Sequence, residues 1–170
     1  MRELILGGAR SGKSALAVER ARSSGLAVTF VATAMVGDAE MAERIARHRA
    51  ARPRQWRVVE TPIALAATLQ AECAAERVVV VDCLTLWLAN LMLADAPLEP
   101  ERAALLETLP RLPGHLVLVA NEVGLGIVPE NALARRFRDA AGSLNQALAA
   151  LCERVTLVAA GLPIMLKGPA

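Results

Sequence analysis

Gly7-Gly8-Ala9-Arg10-Ser11-Gly12-Lys13-Ser14 follows the apolar run Leu4-Ile5-Leu6 and opens a stretch of helical composition over residues 13–24. It fits the pattern G-x-x-x-x-G-K-[ST] at Gly7, Gly12, Lys13 and Ser14. Each part of that pattern does something other residue types cannot. Glycines let a loop take positive φ and turn successive backbone N–H groups inward on an anion. The lysine sets a compact cation against the β- and γ-phosphates, and the serine hydroxyl ligates Mg²⁺. The N-terminus of the following helix points its positive dipole end at the same anion. Lys13 is one of only two lysines, against seventeen arginines, so composition alone would rarely put one here. With a strand before it and a helix after it, the segment Gly7–Ser14 is expected to hold the phosphates of ATP or GTP.

Beyond the loop, strand and helix patterns alternate. Gly25 stops the first helix, and Ala27–Ala32 is β-branched and apolar, hence a second strand. Residues 38–51 read as a helix, with Asp38 as a candidate N-cap and Pro53 soon after the end. A short strand over 56–60 and an Ala-rich helix over 63–75 come next. Val78-Val79-Val80-Val81-Asp82 is the strongest strand signal, followed by a helix over 84–93. Pro97 and Pro100 mark a connection before a helix that runs to 109. Leu116–Ala120 is a core strand ending at Asn121-Glu122. Leu133, Phe137, Leu144, Leu148 and Leu151 recur at helical spacing and predict a long helix over 131–152. Val155–Ala160 is the last core strand and 163–167 a short terminal one. This β-α-β-α order, with no hairpins expected between strands, predicts an α/β fold of the P-loop NTPase type (RecA-like). A mostly parallel sheet flanked by helices would form a single domain over residues 1–170.

Composition agrees. The chain is 55% hydrophobic but only 2% aromatic, so Ala, Leu and Val must fill the core of a sheet covered on both faces. A formal net charge of +2 is too small to argue for a nucleic-acid partner. Cys73, Cys83 and Cys152 lie far apart with no CxxC pair, against a disulfide framework or a zinc site and for a reducing compartment. Met1-Arg2-Glu3-Leu4 runs straight into a strand with no signal peptide ahead of it. The most apolar region, 78–93, is interrupted by Asp82 and Asn90 and is too short to span a bilayer. A cytoplasmic protein without a membrane span is expected.

A P-loop also wants an acidic residue at the end of a neighbouring strand, to hold Mg²⁺ directly or through water. Asp82 and Glu122 both qualify. Asp82 is favoured because four valines ahead of it fix a buried strand, though either acid could instead cap the next helix. Arg44, Arg47, Arg49, Arg52, Arg54 and Arg57 crowd one stretch, with His48 among them. One reading is a solvated helix face. The other is chemical: nearby positive charge disfavours imidazolium and keeps the ring neutral and nucleophilic. The same arginines would neutralise a triphosphate, which makes His48 a candidate phosphoryl or nucleotidyl acceptor. His115, just after Pro113-Gly114, reads as structural or exposed.

Taken together, these residues resemble the bifunctional adenosylcobinamide kinase / adenosylcobinamide-phosphate guanylyltransferase family of cobalamin biosynthesis. The resemblance covers almost the whole chain. It rests on Gly7–Ser14, on Glu40–Pro53 (EMAERIARHRAARP), on Trp56–Glu60 and on Val81-Asp82-Cys83-Leu84-Thr85. The most specific parts are Asn121–Asn131 (NEVGLGIVPEN) and Leu133–Gln146 (LARRFRDAAGSLNQ). It implies phosphorylation of the adenosylcobinamide hydroxyl by ATP or GTP, then transfer of GMP from GTP to adenosylcobinamide phosphate with release of pyrophosphate. It implies a covalent guanylyl intermediate on His48 and a catalytic Lys13. Nucleotide contacts would fall on Gly7, Gly8, Ala9, Arg10, Ser11, Gly12, Lys13 and Ser14, and on Ala32, Thr33 and Ala34. Further contacts would come from Arg49, Ala50, Ala51, Arg52, Glu60 and Asp82, with Ser14 and Asp82 toward Mg²⁺. A homo-oligomer, typically a trimer, is also implied. Arg47 stands where relatives can carry a second histidine, and Asp82 where some carry Glu. Two rivals differ in chemistry: a simple metabolite kinase, for which His48 is dispensable, and a nucleotide switch, for which no N-K-x-D motif is present.

Overall fold

The four consecutive valines 78–81 are 0–1% exposed, as a strand covered on both faces must be. The computed structural model describes residues 1–35, 37, 39–50 and 53–168, and for residues 40, 41, 44, 47 and 48 the backbone alone. The strands are β1 (Arg2–Gly7), β2 (Ala27–Ala32), β3 (Arg57–Glu60), β4 (Arg77–Asp82), β5 (His115–Asn121), β6 (Arg154–Ala159) and β7 (Leu162–Lys167). The helices are α1 (Lys13–Ser23), α2 (Ala39–Ala50), α3 (Leu65–Glu72), α4 (Leu84–Leu93), α5 (Leu98–Thr108) and α6 (Ala132–Leu151). Each lies where the sequence patterns put it, within a few residues. The proposed N-cap Asp38 lies outside the described residues.

The strands form one sheet in the order β3-β2-β4-β5-β1-β6-β7. The first six are parallel, and β7 returns antiparallel to β6. The expectation of no hairpins therefore fails once, at the last strand. Ala160 and Gly161 both take positive φ (52° and 80°), the two-residue turn whose twist suits paired strands. An alanine at the first turn position hides that signal from a reading that looks for Asn-Gly or Gly-Gly.

Alternate side chains sort the interior into two layers. Leu4, Val79, Val81, Leu116, Leu118 and Ala120 pack with Leu65, Leu69, Trp87, Leu91, Leu105 and Leu148 from α3, α4, α5 and α6. Ile5, Phe30, Val78, Val80, Val117 and Val119 pack with Ala17 and Ala21, the small residues on the inner face of α1. Period-two alternation then assigns Gly7, Ala32, Asp82 and Asn121, at the ends of β1, β2, β4 and β5, to the α1 side. Burying each large aliphatic side chain contributes about 1.5–3 kcal/mol. All three cysteines are free thiols. Burial pushes Cys73 and Cys83 up to about 11 and Cys152 up to about 12, so they pack as small apolar groups rather than react.

At the opposite end of the sheet, Glu72 (8% exposed) is gripped at two points by Arg57, Nε to Oε2 at 2.9 Å and Nη2 to Oε1 at 2.8 Å. Arg77 adds a contact at 3.5 Å. Hydrogen bonding from Arg57 holds the Glu72 carboxyl below its ordinary 4.5, against the opposing effect of desolvation. A depressed carboxyl contributes stability that is complete above its unfolded pKa and is lost as pH falls through the folded one. Circular dichroism melts should show Tm declining below pH 4.5. Glu72→Gln should melt lower at pH 7 and lose less stability across that acid range.

Candidate active site

The loop between β1 and α1 closes on itself before any ligand enters. The Ser11 N–H reaches the Gly8 carbonyl at 3.3 Å, and Lys13 Nζ donates to the same carbonyl at 2.9 Å. Gly12 sits at the N-cap of α1 with φ 98°, a conformation L side chains rarely adopt. Lys13 is only 6% exposed, whereas Gly8, Ala9 and Arg10 face solvent. Ser14 is half-buried in the first turn of α1.

Gly7 and Gly8 are glycines for different reasons. A Cβ on Gly7 would lie 2.7 Å from the Val158 carbonyl oxygen and 2.4 Å from Ser11 Oγ, inside van der Waals contact. A Cβ on Gly8 would meet no atom of the described residues within 4 Å, and its φ is not in the left-handed region. Nothing among the described residues requires glycine there, whereas close approach of a phosphate would. Gly7→Ala should therefore cost about 1–3 kcal/mol of stability through overpacking. Gly8→Ala should melt within about 1 °C of wild type, because surface changes clear of packing are nearly neutral, yet bind nucleotide at least about tenfold more weakly, a loss of about 1.4 kcal/mol. Calorimetric melts with nucleotide titrations check both.

The hairpin turn braces this loop from behind. Gly161 donates its N–H to the Ser11 carbonyl at 2.9 Å, and its Cα would be 3.2 Å from a Cβ on Gly12. On the other flank the Glu122 N–H reaches the Gly7 carbonyl at 3.1 Å.

The remaining expected site residues gather at the same end of the sheet. Ala32 pairs in register with both Glu60 and Asp82. Thr33 is fully buried: its hydroxyl donates to the Cys83 carbonyl at 2.7 Å and accepts from the Cys83 N–H at 2.9 Å. Asn90 Nδ2 then ties the Thr33 carbonyl (2.7 Å) to that of Pro62 (3.1 Å). The Thr33 side chain thus locks β2 to the segment after Asp82 and has no hydroxyl left for a nucleotide; Ala32, Ala34 and the backbone are what this segment offers. Arg49 forms a solvent-exposed ion pair with Glu60 through Nη2 and Oε1, which sets the last turn of α2, with the backbone of His48 and Ala50, near the C-terminal end of β3. The His48 side chain, and all of Ala51 and Arg52, lie outside the described residues.

Two expectations change. Arg57 does not join the arginine run at this end, because it begins β3 at the far end and is held by Glu72. Glu122, the rival to Asp82, turns its carboxylate onto its own loop, accepting from the N–H groups of Gly124 (2.7 Å) and Leu125 (3.1 Å). Asp82 is half-buried on the α1 side, so it is the better placed acid. Among the described residues no three His, Cys, Asp or Glu side chains gather as a metal cage. Mg²⁺ asks for less, since it is commonly bound by one or two carboxylates or hydroxyls with substrate phosphates and water. The hard oxygen donors of Ser14 and Asp82 fit that requirement.

The family model described as cobinamide kinase / cobinamide phosphate guanyltransferase matches residues 3–166. The chain belongs to that family. It is 61% identical over 170 residues to the bifunctional adenosylcobalamin biosynthesis protein CobP of Pseudomonas aeruginosa, covering 99% of this chain and 98% of that one. Two bifunctional adenosylcobalamin biosynthesis proteins named CobU, from Salmonella typhimurium and Escherichia coli, are 38% and 39% identical, with 96% of this chain and 98% of each covered. Among solved structures, an ATPase of the type III secretion system aligns at TM-score 0.55 and 14% identity, over 96% of this chain and 56% of that one. The RadB recombinase aligns at 0.54 and 17% identity, over 92% and 73%. At such low identity these two speak to the fold alone. They give this member of the cobinamide kinase / guanyltransferase family a P-loop NTPase fold.

Proposed function

We propose that this protein performs both reactions for which its family is described, as one catalytic domain spanning the chain. It phosphorylates the hydroxyl of adenosylcobinamide with ATP or GTP. It then transfers GMP from GTP to adenosylcobinamide phosphate through a guanylyl group on His48, releasing pyrophosphate and giving adenosylcobinamide-GDP. The observation that carries this reading is the Arg49–Glu60 ion pair, which brings the helical turn bearing His48 to the strand end where Ala32 is in register with Glu60 and Asp82. In this reading the triphosphate held by the loop Gly7–Ser14 at the end of β1 extends its α-phosphate along the strand ends toward β3, four places away in the sheet order.

Physically, backbone N–H groups of Gly8–Lys13 and the Lys13 ammonium hold the β- and γ-phosphates. Ser14 and Asp82 are the residues that would hold Mg²⁺, which when bound offsets charge building on the leaving phosphates. Neutral His48 attacks the α-phosphorus as the bond to pyrophosphate breaks, and Arg49 and Arg52 stabilise the equatorial oxygens. An oxygen of cobinamide phosphate then displaces His48 from the same phosphorus. Covalent catalysis splits one difficult displacement into two easier ones.

The partners are small molecules, with no nucleic acid required, and the setting is the cytoplasm, where nucleotide substrates are available. No described helix is long and apolar enough to cross a membrane. Self-association, as a trimer by resemblance, has support in β7, an exposed edge strand carrying Leu162, Ile164, Met165 and Leu166 at 68%, 49%, 40% and 57% exposure.

The deciding experiment is incubation with Mg²⁺ and α-³²P-GTP, followed by denaturing electrophoresis. Acid-labile, base-stable label on the protein supports a guanylyl-histidine. Folded protein that phosphorylates cobinamide yet takes up no label would remove the transferase half of the proposal.

A further inference from the structure

Asn121 ends β5, in register with Gly7 of β1 on one side. On the other side of β5 lies β4, where Asp82 is in register with Val119. Asn121 therefore stands between the phosphate loop and the acid, roughly 6.6 Å farther along the sheet than Asp82. Alternation from Val117 and Val119 assigns its side chain to the α1 side, which Asp82 shares.

Its backbone is fixed from two of the helices behind the sheet, α4 and α6. The Asn121 N–H donates to Thr85 Oγ1 at 2.6 Å, and Asn145 Nδ2 donates to its carbonyl at 3.4 Å. The side-chain Oδ1 is different: it is buried and accepts no hydrogen bond among the described residues. A buried acceptor left unsatisfied costs about 1–3 kcal/mol, and native proteins rarely tolerate one without a purpose. Here the rest of the residue is immobilised and one acceptor atom remains beside the loop that holds the phosphates.

Resting on the function proposed above, we infer that Asn121 is a further catalytic residue of the kinase step. Its Oδ1 accepts a hydrogen bond from the attacking hydroxyl and so aligns that oxygen with the γ-phosphorus. The bond from the hydroxyl oxygen to phosphorus forms as the β,γ-bridging P–O bond breaks. The nucleoside diphosphate leaves, and the hydroxyl proton passes to solvent. A neutral carboxamide is not the base; it supplies orientation, which is a large part of what phosphoryl transfer needs from a protein. Guanylyl transfer, which cleaves at the α-phosphorus, uses this contact far less.

Asn121→Leu keeps the volume and removes the acceptor. With Mg²⁺, ATP and adenosylcobinamide, its kinase kcat should fall 30- to 100-fold, with the nucleotide KM within threefold of wild type. Histidine labelling from α-³²P-GTP should fall less than fivefold. Asn121→Asp keeps Oδ1 but adds charge beside the phosphates, so its nucleotide KM should rise while kcat stays well above that of the Leu variant. Equal losses in both reactions, or a kinase kcat within threefold of wild type, would overturn the assignment. If Asn121→Leu fails to fold, Asn121→Ala, which also removes the acceptor, decides by the same kcat ratio and the same thresholds. Wild type unable to phosphorylate cobinamide would defeat the functional reading instead. In that case slow γ-phosphate hydrolysis, with water as the attacking hydroxyl, tests Asn121 by the same kcat ratio.

Discussion

His48→Ala will carry no guanylyl label and will lose guanylyl transfer by on the order of 10⁴-fold or more, the scale seen when a covalent nucleophile is removed. Phosphorylation of cobinamide should survive within a few-fold, because that step needs the phosphate loop but no histidine nucleophile. The split follows from the architecture. His48 belongs to α2, whose last turn reaches the sheet through the Arg49–Glu60 pair, whereas the loop Gly7–Ser14 is anchored separately by β1, Glu122 and Gly161. Separate ATP- and GTP-dependent assays, with melting curves to show that α2 has not collapsed the fold, check the result. Equal loss of both activities would mean that the helix, and not the imidazole, had been damaged.

Lys13→Met should instead depress both reactions together, by about 10²–10³-fold, as expected when a preorganised donor to a charged transition state is lost. Its ammonium is the one lysine charge at the loop, held 2.9 Å from the Gly8 carbonyl. Methionine keeps most of the buried apolar stem, so packing around a residue 6% exposed should change little. Tm should stay within about 4 °C of wild type, roughly 1 kcal/mol for a chain of this size. Isothermal titration with a non-hydrolysable nucleotide would separate lost binding from lost chemistry. A Lys13→Met protein with either activity intact would mean that the two reactions do not share this cradle.

Much of this architecture was legible before any coordinates. Strands of consecutive Val, Leu and Ile with glycine or acid at their ends announce buried parallel strands, and the loop motif carries its own chemistry, so β1, β4, β5 and the cradle could be read locally. What could not be read is what depends on distant partners. Thr33 stands among the nucleotide contacts the resemblance implies, but Cys83 engages its hydroxyl in both directions. Arg57 looks like one of a run of arginines, but it begins β3 at the far end of the sheet, where Glu72 holds it. Asn121 sat unremarked beside the more conspicuous Glu122, because an unsatisfied acceptor is a property of packing and leaves no trace in composition. The direction of β7 was hidden for a related reason: an alanine accepted the left-handed conformation that glycine usually advertises.

The brace that Gly161 places on Ser11 has a bearing on how this enzyme comes into being. The phosphate loop precedes β6 in chain order, yet β6 must pair with β1 and the turn beyond it must arrive before the loop has its rear support. Domain folding can begin during synthesis, but here the nascent chain would carry an unfinished cradle until residues 154–161 emerge. The cradle is thereby complete only once strands distant in sequence have paired, β1 with β6 and β6 with β7.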